Sequence, residues 1–180
     1  LLGAYTGGSA PELSALAETL DYSAPGESGV TEDLEKEIWH RLESAAAVSA
    51  LCGIIGAPPE TIREIEDVDA VCREAVQECR QVADLQGLNI SSPSPAWEKA
   101  VWRRLKPPML LAIEDGRGTE VEFLSGYIVE HSRSSGRPAF IHSAMYSLIK
   151  ELESGERGPG VNNLKELQRR IEEEKGMKLL

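Results

Sequence analysis

The chain has 180 residues, enough for one domain or for one domain and part of another, and only 5% of them are aromatic, so aliphatic side chains and alanines must build its core. Its formal net charge of -11 argues against an extended nucleic-acid surface, because phosphate binding requires clustered Lys and Arg without competing carboxylates. No apolar run approaches the roughly 20 residues of a membrane span, and the N-terminus lacks the regions of a signal peptide, so we expect a cytoplasmic protein with no membrane partner.

The first 30 residues have the pattern of a strand, a turn and a helix, followed by a loop or a weak final strand. Residues 1–6 are largely apolar, Gly7 and Gly8 supply the turn, and a helical pattern runs from Pro11 to Leu20. The glycines do not have the Gly-x-Gly-x-x-Gly spacing that lets a backbone loop approach a pyrophosphate. If a dinucleotide binds this protein, we expect most of its site to lie outside this sequence.

A long helix is predicted from Thr31 to about Ile55. Thr31 is a suitable N-cap, and acidic residues follow it in the first turn, where the helix dipole favours negative charge. The second half of this helix is rich in Ala, Ser and Gly, so a neighbouring element or a ligand can approach it closely. Its predicted buried stripe consists of Leu34, Ile38, Leu42 and Ala45 or Ala46.

Two further helices are predicted in the middle of the chain, after a break at Pro58 and Pro59. The first runs from Val68 to Gln86 and stops at Gly87, and the second begins at Ser94-Pro95 and ends at Pro107. The tryptophans of the second helix, Trp97 and Trp102, are expected to pack in a core or an interface rather than to contact a cofactor.

Three cysteines, Cys52, Cys72 and Cys79, are an odd number, and no Cys-x-x-Cys spacing joins them into a metal site. This pattern favours a reduced setting. Cys72 and Cys79 lie on the apolar face of the predicted helix 68–86, so we expect both to be small buried residues rather than redox partners. The three histidines are scattered and show no catalytic or metal-binding spacing.

The stretch from Pro107 to Tyr146 contains a short apolar segment, a glycine-broken turn at residues 115–118 and a long amphipathic helix. Thr119 and Glu122 have the Thr-x-x-Glu spacing of a capping box, in which the two side chains satisfy free backbone donors at a helix start. We therefore expect a helix to begin at Thr119 and to stop before Gly136 and Pro138.

The C-terminal part is predicted to hold two more helices. One spans residues 141–152, and residues 154–160 then form a flexible connector. Asn162 or Asn163 caps the last helix, which has an ion pair between Glu166 and Arg170 and ends near Gly176. Its apolar face could pack on its own domain or on a second subunit.

Several scattered segments together carry a family resemblance. They are Ile-Trp at 38–39, Leu42, Pro-Met-Leu at 108–110, Thr-Glu at 119–120, Gly126, Tyr146 and Lys150. In this order they resemble the C-terminal domain of ketopantoate reductase (2-dehydropantoate 2-reductase), and the resemblance covers most of residues 1 to about 153.

This resemblance implies a mostly α-helical fold of the ketopantoate reductase and 6-phosphogluconate dehydrogenase-like type. Residues 1–30 would be the tail end of a nucleotide-binding Rossmann domain, residues 31–153 a helical substrate-binding and dimerisation domain, and residues 154–180 a linker and C-terminal helix. The family reduces a 2-keto acid with NADPH, so the expected cofactor is NADP, bound mainly by a domain not present in this chain. The expected partners are a small-molecule 2-keto acid and a second copy of the chain.

The resemblance also places a catalytic lysine and two substrate-binding asparagines of the family at Arg41, Ala45 and Ser49. A guanidinium with a pKa above about 12 holds its proton too tightly to be an efficient general acid near neutral pH. Arg41 could still clamp a carboxylate with two hydrogen bonds, or it could be an exposed or partly paired helix arginine. Ser49 is the candidate for substrate binding among these positions.

A second cluster of the family combines a serine just before Met-Leu with a glutamate just after Thr. The serine position is Pro108 here, so that hydroxyl is absent, whereas the glutamate position is Glu120. The resemblance implies that Glu120 contacts the cofactor ribose or the substrate. The alternative is that Glu120 is a carboxylate in a first helical turn, which is favourable without any ligand.

The leading hypothesis is that the chain is the substrate-side portion of an NADPH-dependent 2-keto acid reductase resembling 2-dehydropantoate 2-reductase, an enzyme of pantothenate biosynthesis, with an altered active site. On this hypothesis the fragment alone is inactive. The alternative is a non-catalytic binding or dimerisation module on the same helical scaffold.

Overall fold

The computed structural model describes residues 2–4, 11–23, 29–90, 106–133 and 136–177. The chain divides into two compact units, Leu1–Arg41 and Leu42–Leu180. Within the described ranges the first elements are β1 (Leu2–Gly3), α1 (Pro11–Ser23), β2 (Val30–Thr31), α2 (Leu34–Ser44), a π-helical segment (Ala45–Ser49), α3 (Ala50–Ile55), α4 (Pro59–Ile62) and α5 (Val68–Leu85). These are followed by α6 (Pro108–Glu114), a 3-10 turn (Val121–Phe123), α7 (Ser125–Arg133), α8 (Phe140–Glu153) and α9 (Asn162–Met177).

The first unit contains the predicted strand, helix and final strand. Strands β1 and β2 pair in parallel, with Leu2 opposite Val30 and Gly3 opposite Thr31. A Cβ atom at Gly3 would lie 2.8 Å from the Cβ atom of Leu34, so only glycine allows the start of α2 to approach this closely.

The predicted N-cap of the long helix was wrong by two residues. Thr31 belongs to β2, and the carboxylate of Asp33 instead accepts a hydrogen bond from the backbone N–H of Lys36 at 3.0 Å, which is the position that an N-cap side chain serves. The buried stripe was also misplaced, since Ile38 is 53% exposed and the neighbouring Trp39 is 6% exposed. The strand occupies the backbone of Thr31, so the helix has to begin later.

The core of the second unit surrounds α3, whose six residues are all buried. A Cβ atom at Gly53 would lie 2.9 Å from the side chain of Ile113 and 3.4 Å from that of Met109, so α6 packs directly on the backbone of α3. This confirms the expectation that the second half of the long helix allows a close neighbour. The neighbour that the structure shows there is another helix.

Helix α5 spans nearly the predicted range, and Gly87 follows it with a φ of 81°, a conformation that glycine adopts easily. Cys52, Cys72 and Cys79 are free thiols in the core, as predicted for the last two. Burial raises the pKa of the Cys72 thiol to about 12, so this side chain is an unreactive thiol at neutral pH. Most of the predicted helix 94–107, including Trp97 and Trp102, lies outside the described residues.

Helix α9 packs on its own unit, which answers a question that the sequence left open. Its apolar face joins the core through Leu164, Leu167 and Ile171. The amide of Asn163 donates to the carbonyl of Ile54 at 2.9 Å and to that of Gly158 at 3.0 Å. The segment before α9 is therefore tied to α3, not a free connector as predicted.

No helix in the described part of the chain is both long enough and apolar enough to cross a membrane.

Candidate functional site

The segment that carries Glu120 connects α6 to α7 and is not the helix start that the sequence predicted. Residues 119 and 120 are not helical, residues 121–123 form the 3-10 turn, and α7 begins only at Ser125. The hydroxyl of Thr119 accepts a hydrogen bond from the backbone N–H of Val121 at 3.2 Å, so it closes a short turn. The predicted capping box of Thr119 and Glu122 is therefore wrong.

The box does not form because both of its members are bound by α8. Glu153, at the C-terminal end of α8, accepts hydrogen bonds through Oε1 from the backbone N–H of Thr119 at 2.6 Å and from the Thr119 hydroxyl at 2.7 Å. Glu122 accepts the hydroxyl of Tyr146 with both carboxylate oxygens, at 2.8 and 3.0 Å. Long-range partners thus replace the local hydrogen bonds that the motif predicts.

Lys150 links these two carboxylates. Its Nζ atom lies 2.7 Å from Oε2 of Glu153 and 3.3 Å from Oε1 of Glu122. Burial opposes the negative charge of Glu153, but hydrogen bonds from Lys150 and Thr119 outweigh burial and hold the pKa of this carboxyl below its ordinary value. Glu153 is therefore an ionised anchor at neutral pH.

Gly126 provides the space for this arrangement. A Cβ atom at Gly126 would lie 3.3 Å from Cε2 of the Tyr146 ring, which is tighter than nine in ten real Cβ contacts. The ring of Tyr146 can therefore pass over the start of α7 and bring its hydroxyl to Glu122.

Glu120 itself has a different environment from the residues on either side of it. Its side chain is partly exposed, and it forms no hydrogen bond or ion pair with any side chain or backbone group in the described ranges. Its backbone carbonyl accepts the N–H of Phe123 and so begins the 3-10 turn. A carboxylate that is held by its backbone but has no protein partner is available to accept hydrogen bonds from a ligand.

Ser49 is the last residue of the π-helical segment, and its side chain lies against the start of α6, where Pro108 is the first residue. It is 1% exposed, and its hydroxyl oxygen accepts the backbone N–H of Met109 at 3.4 Å. This N–H is one of the donors of a first helical turn that have no partner within the helix. The structure thus brings Ser49 to the Pro-Met-Leu segment, as a side chain that caps protein backbone.

The segments that form this site lie in a part of the chain that matches one protein-family model. A family model described as "Ketopantoate reductase PanE/ApbA C terminal" matches residues 33–153, which is more than half of the chain. The chain belongs to the ketopantoate reductase family. This match confirms the resemblance seen in the sequence and the helical C-terminal fold that it implied.

Similar proteins agree with this assignment. A 2-dehydropantoate 2-reductase of Archaeoglobus fulgidus is 27% identical over 124 residues, which are 68% of this chain and 42% of that protein. Structures of D-mandelate dehydrogenase with NADH and anilino(oxo)acetate (TM-score 0.72, 17% identity, 85% of this chain and 65% of that one) and of a dimeric ketopantoate reductase from Staphylococcus aureus (TM-score 0.61, 16% identity, 84% and 54%) share the fold. The chain spans about half the length of the curated relatives that it matches, between 42% and 52%.

The other positions that the resemblance matched to site residues of ketopantoate reductases lie on α2, in the π-helical segment and on α6. Arg41 is exposed on α2 in the first unit, and Ala45 is the first residue of the π-helical segment. Pro108 is the first residue of α6, where its missing N–H costs nothing. The roles of Arg41, Ser49 and Glu120 in a ketopantoate reductase site stay predictions.

One buried polar network escaped the sequence reasoning. His142 is fully buried in α8, where its Nε2 donates to the carbonyl of Ala75 at 3.0 Å and lies 3.2 Å from the sulfur of Cys79. Its Nδ1 must then accept the hydroxyl of Ser125, at 3.2 Å. Burial lowers the pKa of His142 to about 4, so the imidazole is neutral and joins α5, α7 and α8. These residues are distant in sequence, and no spacing indicates their contact.

A second titratable group lies beside this network, at the other end of α8 from Glu153. Glu78 accepts the backbone N–H groups of Ile141 and His142 at 2.9 and 3.0 Å, which caps the start of α8. Burial nevertheless raises the pKa of Glu78 to about 7. Its carboxylate lines an open cavity of about 450 Å³ that also includes Arg137 and Lys175.

Within the described residues, no group of three or more His, Cys, Asp or Glu side chains is arranged to hold a metal ion.

Proposed function

We propose that this chain is the C-terminal, substrate-side portion of an NADP-dependent 2-keto acid reductase that acts on ketopantoate or a related acid. The observation that carries the proposal is Glu120: the sequence resemblance matches it to the family's glutamate, its side chain has no partner among the described residues, and the residues beside it are held by α8. A partly exposed carboxylate on an anchored backbone can accept hydrogen bonds from a hydroxyl-bearing ligand and so help to orient it.

The proposed cofactor is NADPH, which supplies hydride to the keto group when bound. The described residues fit a limited part of such a cofactor, since Glu120 can accept a hydrogen bond from a ribose hydroxyl or from the substrate. This sequence does not contain a Gly-x-Gly-x-x-Gly loop for the pyrophosphate. We therefore infer that other parts of the full-length protein hold most of the cofactor.

Arg41 and Ser49 are assigned narrower roles. We propose that Arg41, which is exposed, pairs with the substrate carboxylate, because a guanidinium presents two parallel donors to a carboxylate but releases its proton poorly. The proposed contribution of Ser49 to substrate binding is indirect, since its buried hydroxyl is bonded to the start of α6. Protonation of the substrate oxygen then requires a donor other than Arg41.

The test is a reductase assay on the full-length protein with NADPH and ketopantoate. Glu120→Ala should lower kcat/KM at least about tenfold, near 1.4 kcal/mol of transition-state stabilisation. The matched control is Glu114→Ala, which removes an exposed carboxylate at the end of α6 that pairs with Lys106. Equal activity of the two variants would refute the role of Glu120.

A second candidate function is a non-catalytic binding or dimerisation module. The observation that favours it is the loss of substrate-ready groups: Pro108 has no hydroxyl, and the hydroxyl of Ser49 is bonded to protein backbone. If the full-length protein oxidises no NADPH with any 2-keto acid but forms a stable dimer, this second function replaces the first. Activity that appears only in Arg41→Lys would identify a reductase site that has lost its general acid.

A further inference from the structure

One residue before Glu120 and one after it are fixed to α8 by different side chains, which together form what we call the α8 clamp: Glu153, Lys150 and Tyr146. Glu153 holds Thr119, the residue before Glu120, through both its backbone N–H and its hydroxyl. Tyr146 and Lys150 hold Glu122, the second residue after it. The backbone of Glu120 thus lies between two anchored points.

Glu153 is the strongest of these anchors. It is the least exposed member of its ion pair, at 12% for its side chain against 44% for that of Lys150. A charge-assisted hydrogen bond at low exposure is worth more than one in water, and here a single oxygen accepts two such bonds. Glu122, by contrast, is 52% exposed, so its contacts are more strongly screened by solvent.

The burial of the residue that follows Glu120 also limits the direction in which the Glu120 side chain can point. Val121, the residue directly after Glu120, is fully buried in the core, and its N–H is bonded to the hydroxyl of Thr119. Because Thr119 is bonded to α8 and Val121 is buried in the core, the Cα–Cβ direction of Glu120 is set by groups that do not touch its carboxylate.

We propose that Glu153 is a positioning residue that acts through Thr119 to hold the carboxylate of Glu120 at the site where substrate or cofactor binds. The inference deepens the proposed function and rests on it, but the clamp can also be measured without catalysis. Tyr146 and Lys150 support the same segment from its other side, and their contribution is smaller because they are more exposed.

Glu151 provides a matched control on the same turn of α8. Its carboxylate also has two partners, Arg157 at 2.9 Å and Arg170 at 2.7 Å, but these belong to the connector and to α9. Glu153→Ala and Glu151→Ala therefore remove equivalent charges and similar numbers of contacts. Only Glu153→Ala releases Thr119.

The first experiment needs no activity and uses NMR of the full-length protein. Glu153→Ala should accelerate hydrogen exchange at the Thr119 and Val121 amides at least about tenfold and shift the side-chain carboxyl resonance of Glu120. Glu151→Ala should change neither signal, although both variants lose an ion pair of a partly exposed carboxylate. The clamp is refuted if the two variants give the same exchange rates and the same Glu120 resonance.

The second experiment is a double-mutant cycle in the keto acid reductase assay. Glu153→Ala should lower kcat/KM at least about fivefold in the parent, but less than about twofold in a Glu120→Ala background, because its effect passes through Glu120. Additive losses would mean that Glu153 acts independently of Glu120 and would overturn the proposal. If the parent reduces no keto acid, the proposed function fails, and the exchange and resonance measurements alone decide whether Glu153 positions Glu120.

Discussion

At the scale of single residues, Glu78 and His142, at the start of α8, have opposite effects on stability as the pH changes. The pKa of Glu78 is raised to about 7, so the stability it contributes is fully present below its ordinary pKa of 4.5 and is lost as the pH rises through 7. The pKa of His142 is lowered to about 4, so its contribution is present above 6.5 and is lost as the pH falls through 4. The contributions of Glu78 and His142 to the slope of the free energy of unfolding against pH therefore largely cancel between pH 4.5 and 6.5.

The variant Glu78→Gln should reveal the pH dependence that His142 gives to the free energy of unfolding. The free energy of unfolding of the variant should rise with pH between 4.5 and 6.5, by on the order of 1–3 kcal/mol, whereas that of the parent stays nearly flat. The charged groups that face Glu78 across the cavity, Glu74 of α5, Arg137 and Lys175 of α9, are the same in both proteins. Urea denaturation at several pH values measures the difference.

Glu74→Gln is the control for this pH experiment, because Glu74 lines the same cavity but its side chain is 60% exposed. It should change the pH profile of the parent much less than Glu78→Gln does, because burial is the main cause of the raised pKa of Glu78 and the charge of Glu74 is a minor one. A parent-like profile in Glu78→Gln would show that the carboxyl of Glu78 does not titrate in this range in the folded protein.

At the scale of elements, the sequence predicts helices well where the apolar period is long, and poorly at their ends. Helices α5, α8 and α9 follow from their spacing of buried residues. The caps at Thr31 and Thr119 were wrong because a motif states only which local hydrogen bonds are possible. A strand at Thr31 and the carboxylate of Glu153 at Thr119 are distant partners, and their competition with the local motif cannot be seen in a window of ten residues.

The attachment of α9 gives a prediction at the same scale. Asn163→Ala removes both donors to the carbonyls of Ile54 and Gly158 at the junction of α3 and α9, in a buried setting. We expect the free energy of unfolding to fall by about 1–3 kcal/mol. Asn162→Ala, at the exposed neighbouring position, should cost less than about 0.5 kcal/mol. Equal losses in urea denaturation would mean that helix propensity, not the bonds of Asn163, determines the effect.

At the scale of the whole molecule, the family's scaffold could be predicted and the working of its site could not. The residues that carry the resemblance indicated the family, and the family model matches residues 33–153. They did not reveal that Ser49 is turned toward α6, that Glu120 lacks a protein partner, or that α8 holds its neighbours. Each of these facts depends on contacts between residues far apart in sequence, and substitutions such as Arg41 and Pro108 change the chemistry without changing the scaffold.

The dependence of self-association on salt concentration tests the oligomeric state, because the chain is strongly acidic. The second copy of the chain that the sequence resemblance implies as a partner stays a prediction, and a homodimer is what the test examines. Two copies with a net charge of -11 each repel one another, while exposed apolar side chains such as Phe123, which is 80% exposed, can drive association. Raising the salt from about 0.1 M to about 1 M shortens the Debye length from about 10 Å to about 3 Å and weakens this repulsion.

Sedimentation velocity on the 180-residue chain should therefore show a dimer that becomes tighter as the salt concentration rises, by about threefold or more in the dissociation constant. The reason is that screening removes the repulsion between the two acidic copies but leaves apolar contacts intact. A dimer that weakens in salt would mean that opposite charges pair across the interface, so the contact would lie away from the exposed apolar side chains. A monomer at every salt concentration would remove dimerisation from the functions proposed for this part of the protein.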